Sequence, residues 1–139
     1  MRKIILILSL FLIFLITGCE NKRPIIFFST QPITKENAQY ITKVLPLKQR
    51  IYYMALVPKG LKKGVYRIQF VKKDEKSEFW GYKYQTHYDF KIEEDGKFFI
   101  TDYIVLHQKG FYFAQFFNLE NINKPLALGE FWVKWYLMK

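Results

Sequence analysis

The sequence predicts an all-β fold, an antiparallel β-sandwich of about seven strands, from three observations. Runs of aromatic and β-branched residues recur from residue 25 to residue 137, separated by polar, Gly- and Pro-containing turns. Several runs alternate apolar and polar residues with period two, the pattern of strands that cover a core with one face only. No regular exchange of strand and helix patterns points to a parallel sheet.

The elements follow in order. Ile25-Ile26-Phe27-Phe28 is a short apolar strand. Residues 34–45 admit two readings. A helix capped by Thr34 would place Ala38, Ile41, Val44 and Leu45 at helical spacing and stop at Pro46. Asn37 leaves its capping box incomplete, and a strand closing one end of the sandwich fits as well. Arg50 to Val57 is the next strand, followed by a turn at Pro58-Lys59-Gly60. In Gly64 to Val71, Tyr66, Ile68 and Phe70 should face the core, with Arg67 and Gln69 outward. Lys72 to Glu78 is a polar loop. From Phe79 to Ile92 the alternation places Trp80, Tyr82, Tyr84, Thr86, Tyr88, Phe90 and Ile92 on one face. Further strands follow at Lys97–His107, Phe111–Asn118 and Gly129–Leu137.

A hairpin between the fourth and fifth of these strands can be tested for register. A two-residue Asp95-Gly96 turn would set Asp89 opposite Asp102, a pairing that like charges disfavour unless a proton or metal is shared. A three-residue loop with Gly96 in a bulge pairs Ile92 with Phe98, Phe90 with Ile100 and Tyr84 with Leu106. That register matches apolar with apolar and separates the acids, so it is the expected one.

One weak internal echo bears on the architecture. Leu61-Lys62-Lys63-Gly64-Val65-Tyr66 resembles His107-Gln108-Lys109-Gly110-Phe111-Tyr112. A glycine ahead of an apolar-Tyr pair at a strand start resembles the tight strand entries of immunoglobulin-like sandwiches, so an immunoglobulin-like β-sandwich is the expected fold.

The N-terminus sets the location. Met1-Arg2-Lys3 is positively charged, Ile4 to Ile16 is apolar except for Ser9, and Thr17 and Gly18 are small. This apolar run is too short for a membrane-spanning helix, which needs about 20 residues, and it fits a cleaved secretory signal. Ile16-Thr17-Gly18-Cys19 resembles the lipobox of bacterial lipoproteins. The resemblance implies cleavage before Cys19, acylation of the Cys19 thiol and of the new N-terminus, and a membrane anchor with more than one acyl chain. Glu20, where aspartate often marks inner-membrane retention in that family, leans toward the outer membrane. The expected organisation is a signal peptide at 1–18, a lipidated tether at 19–24 and one sandwich domain at 25–139.

Cleavage after Gly18 leaves 121 of the 139 residues, enough for a single domain. It also removes Arg2 and Lys3, leaving 20 basic residues against 12 acids, a net +8. In an exported protein this favours anionic lipid or an acidic envelope partner and argues against nucleic acid. Lys59, Lys62 and Lys63 precede the strand at 64–71, and Lys72, Lys73 and Lys76 follow it. The two groups are therefore about 20 Å apart, and the charge is diffuse. Cys19 is the only cysteine, so no intramolecular disulfide forms and the 14 Phe, 10 Tyr and 3 Trp of the chain must supply the core.

Reactive constellations are sparse. His87 and His107 have no second ligand at metal-binding spacing. Ser29 and Ser77 have no nearby base, and no phosphate-binding glycine loop is present. No catalytic residue, metal site or cofactor is expected. The remaining candidates are aromatic. Phe131, Trp132, Val133, Trp135 and Tyr136 make the last strand apolar on both sides, as a strand covered on both faces would be. The alternative is an exposed platform of Trp132, Trp135 and Tyr136, with Asn121 and Asn123 on an adjacent loop. The expected role is non-catalytic binding or assembly with an envelope protein. Glycan binding on an aromatic platform, or enzyme inhibition by a presented loop, is the alternative.

Overall fold

The computed structural model describes residues 23–74 and 81–135. They form two packed sheets. Strands β1 (Ile25–Ser29), β3 (Arg50–Leu61) and β6 (Lys97–Val105) make one, in the order β1-β3-β6. Strands β2 (Val44–Pro46), β4 (Gly64–Lys73), β5 (Tyr82–Ile92), β7 (Gly110–Asn118) and β8 (Ala127–Lys134) make the other, in the order β2-β8-β7-β4-β5. The chain crosses between the sheets of this β-sandwich after β1, β2, β3, β5 and β6. Among the described residues no helix is long and apolar enough to cross a membrane.

Alternation builds the core as expected in the middle of the chain. Tyr66, Ile68 and Phe70 are buried, and Arg67 and Gln69 point outward. They meet Ile51, Tyr53 and Ala55 of the facing sheet and the inward residues Tyr112, Ala114 and Phe116 of β7. Aromatic contacts join the layers: Phe131 lies 4.4 Å from Phe28, and Tyr53 lies 5.4 Å from Phe70; within the larger sheet Phe131 stacks on Tyr112 at 5.5 Å. Gly129 is an inward position whose absent side chain admits Phe28; a Cβ there would stand 2.8 Å from Phe28 Cε2.

Residues 34–45 form neither a regular helix nor a long strand. Ala38–Tyr40 is a single 3₁₀ turn with no buried residue, and Val44–Pro46 is an eighth strand lying parallel to β8. The helical stripe fails because only Leu45 of its four apolar residues is buried. The first long strand also runs past the expected turn at 58–60 to Leu61, and Gly60 takes φ 83° at the irregularity.

The expected β5–β6 hairpin is absent. β5 pairs with β4 and β6 pairs with β3, so residues 93–96 connect the two sheets. The connection is fixed from outside itself: Gly96 N–H donates to Leu61 O at 3.0 Å, and Lys63 N–H donates to Asp95 Oδ1 at 2.6 Å. Asp89 and Asp102 therefore lie in different sheets, and Asp89 pairs with Arg67.

The fourth expected strand does not keep one face along its length. The β4–β5 register steps from Phe70↔Thr86 to Val71↔Tyr84, leaving Gln85 as the extra residue. A bulge of one residue exchanges the faces beyond it. Thr86, Tyr88, Phe90 and Ile92 stay on the inward side, while Tyr84 and Tyr82 turn outward. Trp80 lies outside the described residues. β5 is the edge of its sheet, and Tyr88 remains partly exposed even on the inward side.

Candidate functional site

The repeated Gly-apolar-Tyr motif organises the outer face of the five-stranded sheet. Tyr66 Oη donates to Lys62 O at 2.9 Å, and Tyr112 Oη donates to Gln108 O at 2.6 Å. Each tyrosine thus ties its strand to the backbone four residues upstream, the tyrosine corner of immunoglobulin-like sandwiches. Burial pushes the Tyr112 hydroxyl up to about 12. With Tyr112 held inward, alternation turns its neighbours Phe111 and Phe113 outward.

These two rings are the centre of an aromatic row. Register sets Trp132 of β8 opposite Phe111, and their ring centroids are 4.9 Å apart. Phe111 and Phe113 meet edge to face at 4.9 Å, and Tyr82 meets Phe113 edge to face at 5.5 Å. The β5 bulge is what delivers Tyr82 to this side. Trp132 is 47% exposed, and Trp135, just beyond β8, is 61% exposed. Lys134 Nζ lies 5.7 Å from the Trp132 ring and Lys48 Nζ 5.8 Å from the Trp135 ring. The expectation that the last strand is covered on both faces is therefore corrected. Phe131 and Val133 are buried, while Trp132 alternates outward onto an open sheet surface. Tyr136 lies outside the described residues, as does Cys19.

Asn121 and Asn123 do not join this row. Their loop leaves β7 at Asn118, seven residues from Phe111, which places it about 23 Å away at the other end of the sheet. There Asn118 Oδ1 accepts from Glu120 N–H at 2.9 Å, and Asn121 N–H donates to Asn118 O at 3.0 Å, closing a compact turn.

The rest of the outer face mixes apolar residues, among them the exposed Val65 and Leu128, with polar side chains that pair across strands. Arg67 donates two hydrogen bonds to Asp89, at 2.7 and 2.9 Å, which hold the Asp89 carboxyl below the usual carboxylate range. Gln69 Nε2 donates to Gln115 Oε1 at 2.6 Å. The Tyr84 hydroxyl is hydrogen-bonded to His87 Nδ1. Beside the row, a groove of about 700 Å³ runs between β1 and β8, lined mainly by Ile25, Phe28, Ile41, Phe113 and Leu128. Its rim carries one ion pair, Lys43 to Glu130 at 3.9 Å. Among the described residues no group of three His, Cys, Asp or Glu could hold a metal ion.

Phe111, Phe113 and Tyr82 are the site residues that sequence reasoning did not single out. The signal for the first two was present, since an inward Tyr112 at the second copy of the motif forces both flanking phenylalanines outward.

No family model and no curated protein matches the chain. Among solved structures it is similar to a crystal structure of a β-glucosidase from Listeria innocua in complex with gluconolactone. That similarity has 9% identity and a TM-score of 0.42, over 70% of this chain and 15% of the enzyme. The chain spans less than a sixth of that enzyme's length, and a likeness of this degree carries no argument about function.

Proposed function

We propose that the protein is a lipid-anchored envelope lipoprotein with a non-catalytic role. In this reading Cys19 carries the anchor, and the outer face of the five-stranded sheet holds a protein partner through Trp132, Phe111, Phe113 and Tyr82. The observation that carries the binding role is the continuous aromatic row, exposed at Trp132 and Tyr82 and half-buried at Phe111 and Phe113. Exposed tryptophan and tyrosine are residue types that concentrate binding energy at protein interfaces. The tilt of the rings favours a contoured protein surface over a flat sugar ring: Trp132 lies at 48° to Phe111, and Phe111 at 83° to Phe113. A photo-crosslinking residue at Trp132, in the full chain expressed in cells, should yield a discrete protein adduct. The Phe111→Ala/Phe113→Ala background should lose that adduct, while the same probe at Asn123 should give none. Crosslinks that go only to polysaccharide, or that form equally from Asn123, would replace this reading with glycan binding or with a different face. The anchor is tested separately: fatty-acid labelling should mark the parent chain and vanish in Cys19→Ser.

A further inference from the structure

We infer that the outer face of the three-stranded sheet is a docking surface for an anionic phospholipid bilayer. An antiparallel sheet with one face on the core ordinarily presents polar residues on the other. This sheet does not. Register aligns Ile25, Leu56 and Phe99 in one outward row, Phe27, Met54 and Thr101 in the next, and Ser29, Tyr52 and Tyr103 in a third. Phe99 and Tyr103 are 43% and 42% exposed. No carboxylate stands at any outward position of the three strands. The charges there are basic: Lys97 at the start of β6, and Arg50, whose guanidinium sits 4.6 Å from the Tyr103 ring centroid. An apolar face of this extent marks an interaction surface.

The occupant is argued from where the chain enters. β1 begins at Ile25, six residues after Cys19, and six residues reach at most about 20 Å. An acyl anchor at Cys19 therefore holds the β1 edge, and the apolar face that begins there, against the lipid surface. An aromatic-aliphatic face free of acid and rimmed by arginine suits the headgroup region of an anionic leaflet. It is also the second membrane signal that durable attachment of acylated proteins uses. The aromatic row lies on the opposite sheet, so a protein docked in this way presents the row away from the membrane. The inference rests on the anchor reading for the nearness of the bilayer, and its test is independent of the anchor.

The test uses the chain from Glu20 to Lys139, which retains every core residue from Ile26 to Val133 and contains no cysteine. Its partition onto vesicles of equal parts phosphatidylglycerol and phosphatidylcholine is measured by co-sedimentation. The parent should bind without any acyl chain. Phe99→Asp/Tyr103→Asp should lower its partition by about tenfold or more, because two aromatic side chains leave the interface. Gln69→Ala/Gln115→Ala, on the opposite sheet, should leave it within about twofold. Should the charged variant fail to fold, single cysteines at Thr101 and Gln115 carry a fluorophore in the otherwise intact chain. Lipid-borne nitroxides should quench the label at 101 and spare the label at 115. A parent that ignores the vesicles, or equal quenching at both positions, overturns the inference. So does a parent dimer that Phe99→Asp/Tyr103→Asp converts to monomer with unchanged vesicle partition, since the face would then belong to a second copy. Vesicle binding in a protein whose Cys19 takes no fatty acid would defeat the anchor reading alone.

Discussion

The outer faces of the two sheets are made by the same alternation and finished in different ways. On the five-stranded sheet, polar side chains satisfy one another across strands, Arg67 with Asp89 and Gln69 with Gln115, and the aromatic rings gather at the end bearing Trp132. On the three-stranded sheet, aliphatic and aromatic residues fill the outward positions along the strands. Core packing dictates what each strand turns inward and leaves the outward residues free. Their divergence is therefore information about what each face meets, and the two faces are suited to different partners.

The largest expected effect tests whether inward and outward aromatics of one strand differ as this comparison requires. Phe131 is fully buried against Phe28, Phe70 and Tyr112. Phe131→Ala should cost about 3–5 kcal/mol in urea unfolding. Its neighbour Trp132 faces out, and Trp132→Ala should cost under about 1 kcal/mol. Comparable losses at the two positions would mean that the row is part of the stabilising core and is not a binding surface.

Gly129 tests how closely the two sheets approach on that same strand. A Cβ at this position meets Phe28 Cε2 at 2.8 Å, Phe28 Cζ at 2.9 Å and Ile26 Cβ at 3.0 Å. Gly129→Ala should therefore cost about 1–3 kcal/mol through overpacking. The downward shift of the urea midpoint measures it, and no shift would mean that β1 can move off β8 freely.

How far the fold was legible follows from whether each signal was local. Tyr66, Ile68 and Phe70 were readable because polar residues separate them and both neighbouring strands cover them. The faces of Tyr82 and Tyr84 were not, because the bulge at Gln85 carries no glycine or proline to mark it. The turn at 93–96 has a composition that suits a hairpin and a sheet crossing alike. Leu61 O and Lys63 N–H decide between them from some thirty residues upstream. Trp132 stays open between two readings for a related reason: a strand apolar on both sides looks the same in sequence whether its outer face is covered or open. The row's centre was legible in principle, through the repeated motif that fixes Tyr112 inward. Asn121 and Asn123 were drawn to the tryptophans by closeness in sequence, whereas antiparallel pairing carries that loop to the far end of the sheet.

The two tyrosine corners come next. Tyr112→Phe removes the bond to Gln108 O and should cost about 1 kcal/mol at neutral pH, and Tyr66→Phe a similar amount. Tyr112 also predicts an alkaline limit. Its hydroxyl titrates near 12 in the fold against an ordinary value of 10.0, so between those values the unfolded chain binds fewer protons than the folded one. Its contribution is complete below about pH 10 and is lost as pH rises toward about 12. Denaturant titrations across that window should show stability falling in the parent and falling less steeply in Tyr112→Phe. Parallel curves would mean that another group governs the alkaline loss.

The smallest expected effect sets a tyrosine of the three-stranded sheet against these corners. Tyr53 of β3 is fully buried, and its hydroxyl has no hydrogen-bond partner among the described residues. Desolvation by burial, with the nearby Asp102 charge, raises its titration far above the ordinary range, so the neutral form is held throughout the stable pH range. Removing a buried hydroxyl that bonds to nothing deletes a desolvation cost and leaves no partner stranded, the reverse of the change at Tyr112. The ring's packing on Phe70 at 5.4 Å is kept by phenylalanine. Tyr53→Phe should therefore be neutral or should stabilise by up to about 1 kcal/mol in urea unfolding. A loss equal to that of Tyr112→Phe would show that the Tyr53 hydroxyl is bonded in solution, and that tyrosine hydroxyls anchor both sheets of the sandwich.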